Sequence, residues 1–239
     1  MDRESVSSVD TLRDAKSALE PDARAHMTSA IRADGTVSML TLQERHAAVS
    51  GFELTLAAPL KVRIHFETAK NLYLYAWFVY RFYPVAEQQA LATLEFALRE
   101  RLAPLFPDQF GPSAKRHPSL STLYAKARKE KLITNAGLRA NERLARKRAD
   151  YRASMEHIRE MEARGLSEMR FDDSAIESLP EDYAHDSLKI FAETLPFFRN
   201  TYAHGSSMLH ATVLGTFEIV TDLVNQLYLA DASAMGPSA

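Results

Sequence analysis

Cysteine is absent from the 239 residues, which excludes structural disulfides and thiolate metal sites and fits a reducing compartment. Long apolar runs are absent as well. The longest covers residues 72–80, far short of the roughly 20 residues that a membrane-spanning helix needs. The first 30 residues hold no apolar stretch behind a basic start, so no secretory signal is expected. These absences point to a soluble, cytoplasmic protein with no membrane contact. Several catalytic signatures are also missing: a Gly-rich phosphate loop, His-Glu-x-x-His, Gly-x-Ser-x-Gly and an Asp-rich calcium loop. The eight histidines are scattered without metal-ligand spacing, so neither a metal site nor a cofactor is expected.

What is present reads as an ordinary globular chain. Hydrophobic residues make up 46% and charged residues 25%, enough apolar material for a real core. The net charge is −2, but its distribution is uneven. Residues 115–152 hold twelve Lys and Arg against Glu130, Glu142 and Asp150, a local +9 that leaves −11 for the remainder. Such a segment can steer a polyanion, and it is equally the signature of a solvated helix face.

Hydrophobic periodicity divides the chain. Residues 1–40 are predicted to be a flexible N-terminal segment, with 38–42 and 52–56 readable as short strands or helical turns. Val62, Phe66, Ala69, Tyr73, Ala76, Tyr80 and Tyr83 recur at helical spacing, which predicts a buried helix reaching to Pro84. Its aromatic residues are expected in the core. Leu91, Leu94, Leu98 and Leu102 stripe a second helix over 85–102, and a Pro-rich loop follows. A short basic helix is predicted at 120–132. A long exposed one is predicted at 140–163, with a thin seam at Leu144, Tyr151, Met155 and Ile158 that is compatible with a partner helix. Leu188, Phe191, Leu195, Phe198 and Tyr202 stripe the penultimate helix; Leu209, Val213, Phe217, Val220, Val224 and Leu227 stripe the last. The short His204–Ser207 link between them predicts an antiparallel pair. The whole reads as all-α: one helical domain over 41–230, with a basic helical insertion at about 115–165 and a flexible tail at 231–239.

Chemistry concentrates in Arg199-Asn200-Thr201-Tyr202-Ala203-His204-Gly205. Arginine clamps phosphate through a planar fork of donors, and histidine titrates near neutrality and can move a proton. Asn200 and His204 are four apart and share a helix face. Arg199 lies about 140° around a regular helix from His204, so bringing the two together needs reach, distortion or a second subunit. Glu95 falls on its helix's apolar stripe, either orienting Arg199 or His204 or pairing with Arg99 one turn on. His210 is expected to be a surface or helix-packing residue.

This stretch resembles the HEPN superfamily, whose signature is an Arg, a polar residue and a His four to six positions after the Arg, at a helix-to-helix turn before a long last helix. The resemblance covers about 62–229, its specific part being the dozen residues around Arg199 and His204. It implies an HEPN-like antiparallel bundle with additional N-terminal and inserted segments, forming a homodimer in which the motifs meet. Many members are metal-independent endoribonucleases in toxin–antitoxin, phage-defence or RNA-processing systems. Carried over, His204 would assist proton transfer at the ribose 2′-hydroxyl, Arg199 would stabilise the scissile phosphate, and Asn200 would orient one of them. Some toxin members carry a modifiable Tyr two positions after the His; here that residue is Ser206. RNA is then the expected partner, with an antitoxin or other protein as a further one. Lys126, Arg128, Lys129, Lys131, Arg143, Arg146, Lys147 and Arg148 are the candidates for its backbone. The alternative is a non-catalytic helical dimer that binds RNA, a nucleotide or a protein.

Overall fold

A computed structural model describes residues 6–27, 29–112, 118–204 and 208–234. The basic residues Lys115 and Arg116, the turn residues Gly205 and Ser206, and the end of the C-terminal tail lie outside these. The described residues contain eight α-helices and one small hairpin, so the all-α expectation holds at that level. Among them no helix is long and apolar enough to cross a membrane.

Two short strands, β1 (Ser29–Ile31) and β2 (Val37–Met39), pair antiparallel with Ser29 opposite Met39. Gly35 turns the chain between them at φ +82°, a conformation that side-chain-bearing residues rarely adopt. Helix α1 (Leu42–Ser50) follows, started by a capping box in which Thr41 and Glu44 satisfy each other's backbone amides.

Helix α2 (Leu60–Tyr75) buries Val62, Phe66, Ala69 and Tyr73, as the spacing predicts, but stops eight residues short of Tyr83. Its end is set from elsewhere in the chain. The buried Asp22 donates its amide to the Trp77 carbonyl at 2.9 Å and accepts the Tyr80 amide on its carboxylate at 3.1 Å. These bonds satisfy backbone groups of a turn that would otherwise be stranded in the interior. Asp10 pairs with Arg24 and Arg81, both at 2.8 Å, and completes the attachment. Part of the segment predicted to be loose thus lies against the bundle, with Ala25 fully buried.

Helix α3 (Phe82–Leu105) is the axis of the fold. Pro84 sits in its first turn, where no intrahelical N–H is required, and so opens this helix. Helices α2, α5 (Leu120–Lys129), α7 (Ser187–Ala203) and α8 (Leu214–Ala234) all pack on α3, and the short α4 (Pro107–Phe110) caps its end. Being covered on several sides, α3 buries Glu87 and Glu95 along with Leu91, Leu94, Leu98 and Leu102. Phe217 of α8 fills the centre, 5.7 Å from the Phe66 ring and 6.0 Å from that of Tyr73.

The predicted hairpin of the last two helices takes another form. Helix α8 begins at Leu214 rather than near Leu209, and α7 and α8 meet α3 in preference to each other. Both stripes cover α3, whose leucines supply the apolar surface. Helix α6 (Arg139–Ala163) also departs in detail: it buries Asn141, Ala145 and Ala149, while Tyr151 and Ile158 of the predicted seam stay exposed. Of the predicted core aromatics, Tyr73 and Trp77 are buried and Tyr75 is half exposed.

Candidate functional site

Helix α7 places the motif on its last turn and a half. Its start is fixed by Asp186, whose side chain caps the Lys189 amide at 3.0 Å, and its buried stripe includes Leu188, Leu195 and Tyr202. Regular helix continues to Ala203, and His204 leaves it at φ −92°, ψ 2°.

The Arg199 guanidinium is held on two sides. Nε donates to Glu95 Oε2 at 3.0 Å, and Nη1 donates to Asn200 Oδ1 at 3.2 Å. Glu95 Oε1 accepts from Arg99 Nη2, also at 3.0 Å, so the same carboxylate serves both pairings that the sequence suggests. The Glu95 side chain is only 11% exposed, whereas those of Arg199 and Arg99 are 38% and 39% exposed. One buried negative charge therefore fixes two cations at the surface and leaves a net +1. Among the described residues Arg199 Nη2 has no partner, so the clamp keeps a free edge for an anion.

His204 is exposed, and among the described residues its ring makes no hydrogen bond. Asn200 links the two motif residues: its side chain holds Arg199, and its carbonyl accepts the His204 amide at 3.0 Å.

A second polar cluster lies beneath the helix end, and its members Glu87, Tyr202 and Thr216 are not evident in the sequence. Tyr202 donates its hydroxyl to Glu87 Oε2 at 2.5 Å, and Thr216 donates to Glu87 Oε1 at 2.5 Å. His210 Nε2 lies 3.1 Å from the Tyr202 oxygen and 3.5 Å from Glu87. Since the phenol spends its only proton on Glu87, it accepts from His210, which places the imidazole proton on Nε2. Burial, with the Glu87 bond, pushes the Tyr202 hydroxyl well above its ordinary pKa. The cluster ties α7, the 204–213 link and α8 to α3, and so holds both ends of the segment carrying His204. The available signal was Glu87 at stripe spacing before Leu91, Leu94 and Leu98.

No family model, curated protein or solved structure matches this chain.

The basic segment is partly spoken for. Lys126 pairs with Glu130 at 2.9 Å, Arg128 with Asp186 at 2.5 Å, and Arg143 with Glu218 through two bonds at 2.6 and 3.0 Å. Arg146 pairs with Asp150 and reaches the carbonyls of Asp173 and Ile176, and Arg148 reaches that of Asp182. Lys129, Lys131 and Lys147 are exposed without partners among the described residues. The acidic loop before α7 runs back along α6: Arg152 bonds Asp182 at 3.0 Å, and His157 meets Met169 O at 3.1 Å and stacks edge-on against Phe171 at 4.9 Å. The Leu179 amide, and then Arg152, hold the Asp182 carboxyl below its usual range. Charge excess in this segment is thus largely met from within the chain. Among the described residues no three His, Asp or Glu side chains are grouped to hold a metal ion.

Proposed function

We propose that this chain is a metal-independent endoribonuclease of the HEPN type, with Arg199, Asn200 and His204 at its active site. The observation that carries the reading is Arg199 held by Glu95 and Asn200, with a free guanidinium edge, one turn from an exposed His204. In the reaction, His204 takes the proton from a ribose 2′-hydroxyl and the 2′-oxygen bonds to phosphorus. The P–O5′ bond breaks, and the leaving oxygen takes a proton from water or from the second copy's imidazole. The products are a 2′,3′-cyclic phosphate and a 5′-hydroxyl. Arg199 stabilises the charge that gathers on the phosphoryl oxygens.

Dimerisation belongs to the same reading. The roughly 140° between Arg199 and His204 around α7 is bridged if one copy's arginine faces the other copy's histidine. Ile190 and Phe197, exposed at 45% and 62% on α7, offer apolar surface for that contact. A place in a toxin–antitoxin or defence module goes with the family likeness.

A second reading is a non-catalytic helical dimer that binds RNA, a nucleotide or a protein; the neutralised cations of α6 weaken the case for a long RNA track and so favour its nucleotide and protein forms. Labelled total RNA incubated with wild type and with His204→Ala, both in chelator, separates the two. The enzyme reading expects cyclic-phosphate ends from the wild type and a loss of about 100-fold or more in the variant. Equal cleavage by a folded His204→Ala protein overturns the assignment.

A further inference from the structure

The N-terminal segment leaves a pocket of about 360 Å³ where it lies against the turn between α2 and α3. Val9, Leu12 and Ala18 of the segment and Phe78, Val79 and Phe82 of the turn supply its apolar lining. The volume falls within the range of ligand sites, roughly 300 to 1,000 Å³, and is more than twice the roughly 150 Å³ that admits benzene. Val9 and Leu12 are 43% and 101% exposed, so water meets apolar side chains that an occupant would cover.

The charged residues of the lining are Arg13, Arg24 and Arg81 against Asp10 and Asp22. Both acids are taken: Arg24 bonds each of them, and Arg81 Nη2 bonds Asp10. Arg13 is the surplus cation. Its guanidinium is fixed by the carbonyls of Glu20, Phe78 and Pro21 at 2.7, 2.9 and 3.3 Å, and among the described residues no carboxylate pairs with it. Carbonyls hold its position without cancelling its charge. The Arg81 side chain is 52% exposed, and among the described residues its Nε and Nη1 donate to nothing. A mostly apolar pocket thus carries one net positive charge, with one arginine set in place and free donors on another.

We propose that this pocket binds a small amphipathic carboxylate of the medium-chain fatty acid class. Its alkyl body lies on Val9, Leu12, Phe78 and Phe82, and its carboxylate meets Arg13 and Arg81. Apolar walls reward each methylene taken out of water, and forked donors suit a carboxylate. A bare phosphate gains nothing from those walls. The pocket shares no residue with Arg199, Asn200 or His204, so the proposal stands apart from the ribonuclease reading. Because the ligand touches both the segment and the turn, it fastens one to the other.

Calorimetric titration of the full chain near neutral pH tests it, with octanoate, hexanoate and octanol as probes. Octanoate is expected to bind about tenfold or more tightly than hexanoate, at roughly fourfold per methylene. It is expected to bind about tenfold more tightly than octanol, which lacks the charge. Saturating octanoate is expected to slow tryptic cleavage after Arg13 and Lys16 several-fold. Leu12 is fully exposed, so Leu12→Asp spares the fold; it is expected to weaken octanoate more than tenfold. Arg81→Gln is expected to bring octanoate down to the affinity of octanol and leave the alcohol unchanged. No saturable binding tighter than about 1 mM, equal affinity for octanoate and octanol, or undiminished binding by Leu12→Asp overturns the proposal. Binding without protection from trypsin overturns it too, because the ligand then sits elsewhere. Sedimentation with phosphatidylcholine vesicles in place of saturable binding overturns it in favour of a lipid surface met by the exposed Val6, Leu12 and Leu19.

Discussion

Glu87 and Tyr202, 115 positions apart, share a 2.5 Å hydrogen bond beneath the end of α7. Thr216 and His210 close on the same carboxylate, so one buried acid anchors the segment that presents His204. Glu87→Ala should strand the Tyr202 and Thr216 hydroxyls in the interior and lower unfolding stability by about 3 kcal/mol. Tyr202→Phe alone should cost less, and the double variant less than the two losses added together. Urea unfolding of the four proteins measures this; strict additivity would show that the bond carries no coupling.

Glu95 makes a different kind of contribution, because its two arginine partners are partly exposed. Glu95→Ala leaves two neighbouring guanidiniums unneutralised, at an expected loss of about 1–3 kcal/mol after allowing for solvent screening. Replacing Arg99 by Ala in that background should recover part of the loss, since the repulsion disappears with it. No recovery in denaturant titrations would mean that the carboxylate acts only through packing.

The clasp between α6 and the acidic loop rests on Arg152, a partly exposed cation paired with exposed Glu181 and buried Asp182, and on Arg146 and Arg148 donating to loop carbonyls; salt weakens the exposed part of it. Raising NaCl from roughly 0.05 to 0.5 M should speed proteolysis of residues 164–179 several-fold while leaving α2 and α3 protected. Arg152→Glu should do the same at low salt, by repelling Asp182. Salt-independent cleavage of that loop would show that its few apolar contacts, such as Phe171 on His157, hold it instead.

Attachment of the N-terminal segment should depend on acid. Arg81, and then Arg24, hold the Asp10 carboxyl down at about 2, and Arg32, with the Thr41 amide, holds Glu44 at about 2. Both folded values lie below the ordinary carboxylate range, so their stabilisation is complete above about pH 5 and is lost as pH falls toward 2. Trp77, the single tryptophan, accepts the Asp22 amide on its carbonyl and lies 5.2 Å from Arg45. Its fluorescence should therefore change between pH 4 and 2 before helical circular dichroism does. Coincident changes would mean that the segment and the bundle unfold as one.

The helices were legible wherever one apolar face meets the core. The stripes Leu91–Leu94–Leu98 and Leu195–Tyr202 could be read because burial on one side imposes the helical period on the residues themselves. The end of α2 could not be read, because the aromatic run 72–83 suits a helix throughout and is interrupted by Asp22, more than 50 residues away. Glu95 stood out in the sequence with Arg99 and Arg199 as alternative partners, and only the fold shows that one carboxylate takes both, since Arg199 comes from α7. The basic character of residues 115–152 was plain, but not the fate of each cation, because Asp182, Asp186 and Glu218 approach only in the folded chain.

By itself the sequence determined the helical class, the positions of most helices, and an arginine and a histidine at the end of α7, for these depend on local period and spacing. Tertiary structure alone decided that α3 would be the shared axis, that Glu95 would orient Arg199, and that Glu87 would anchor the link to α8. The last two outcomes join residues 104 to 129 positions apart, and nothing within a single helical turn encodes which distant side chain will neutralise a buried charge.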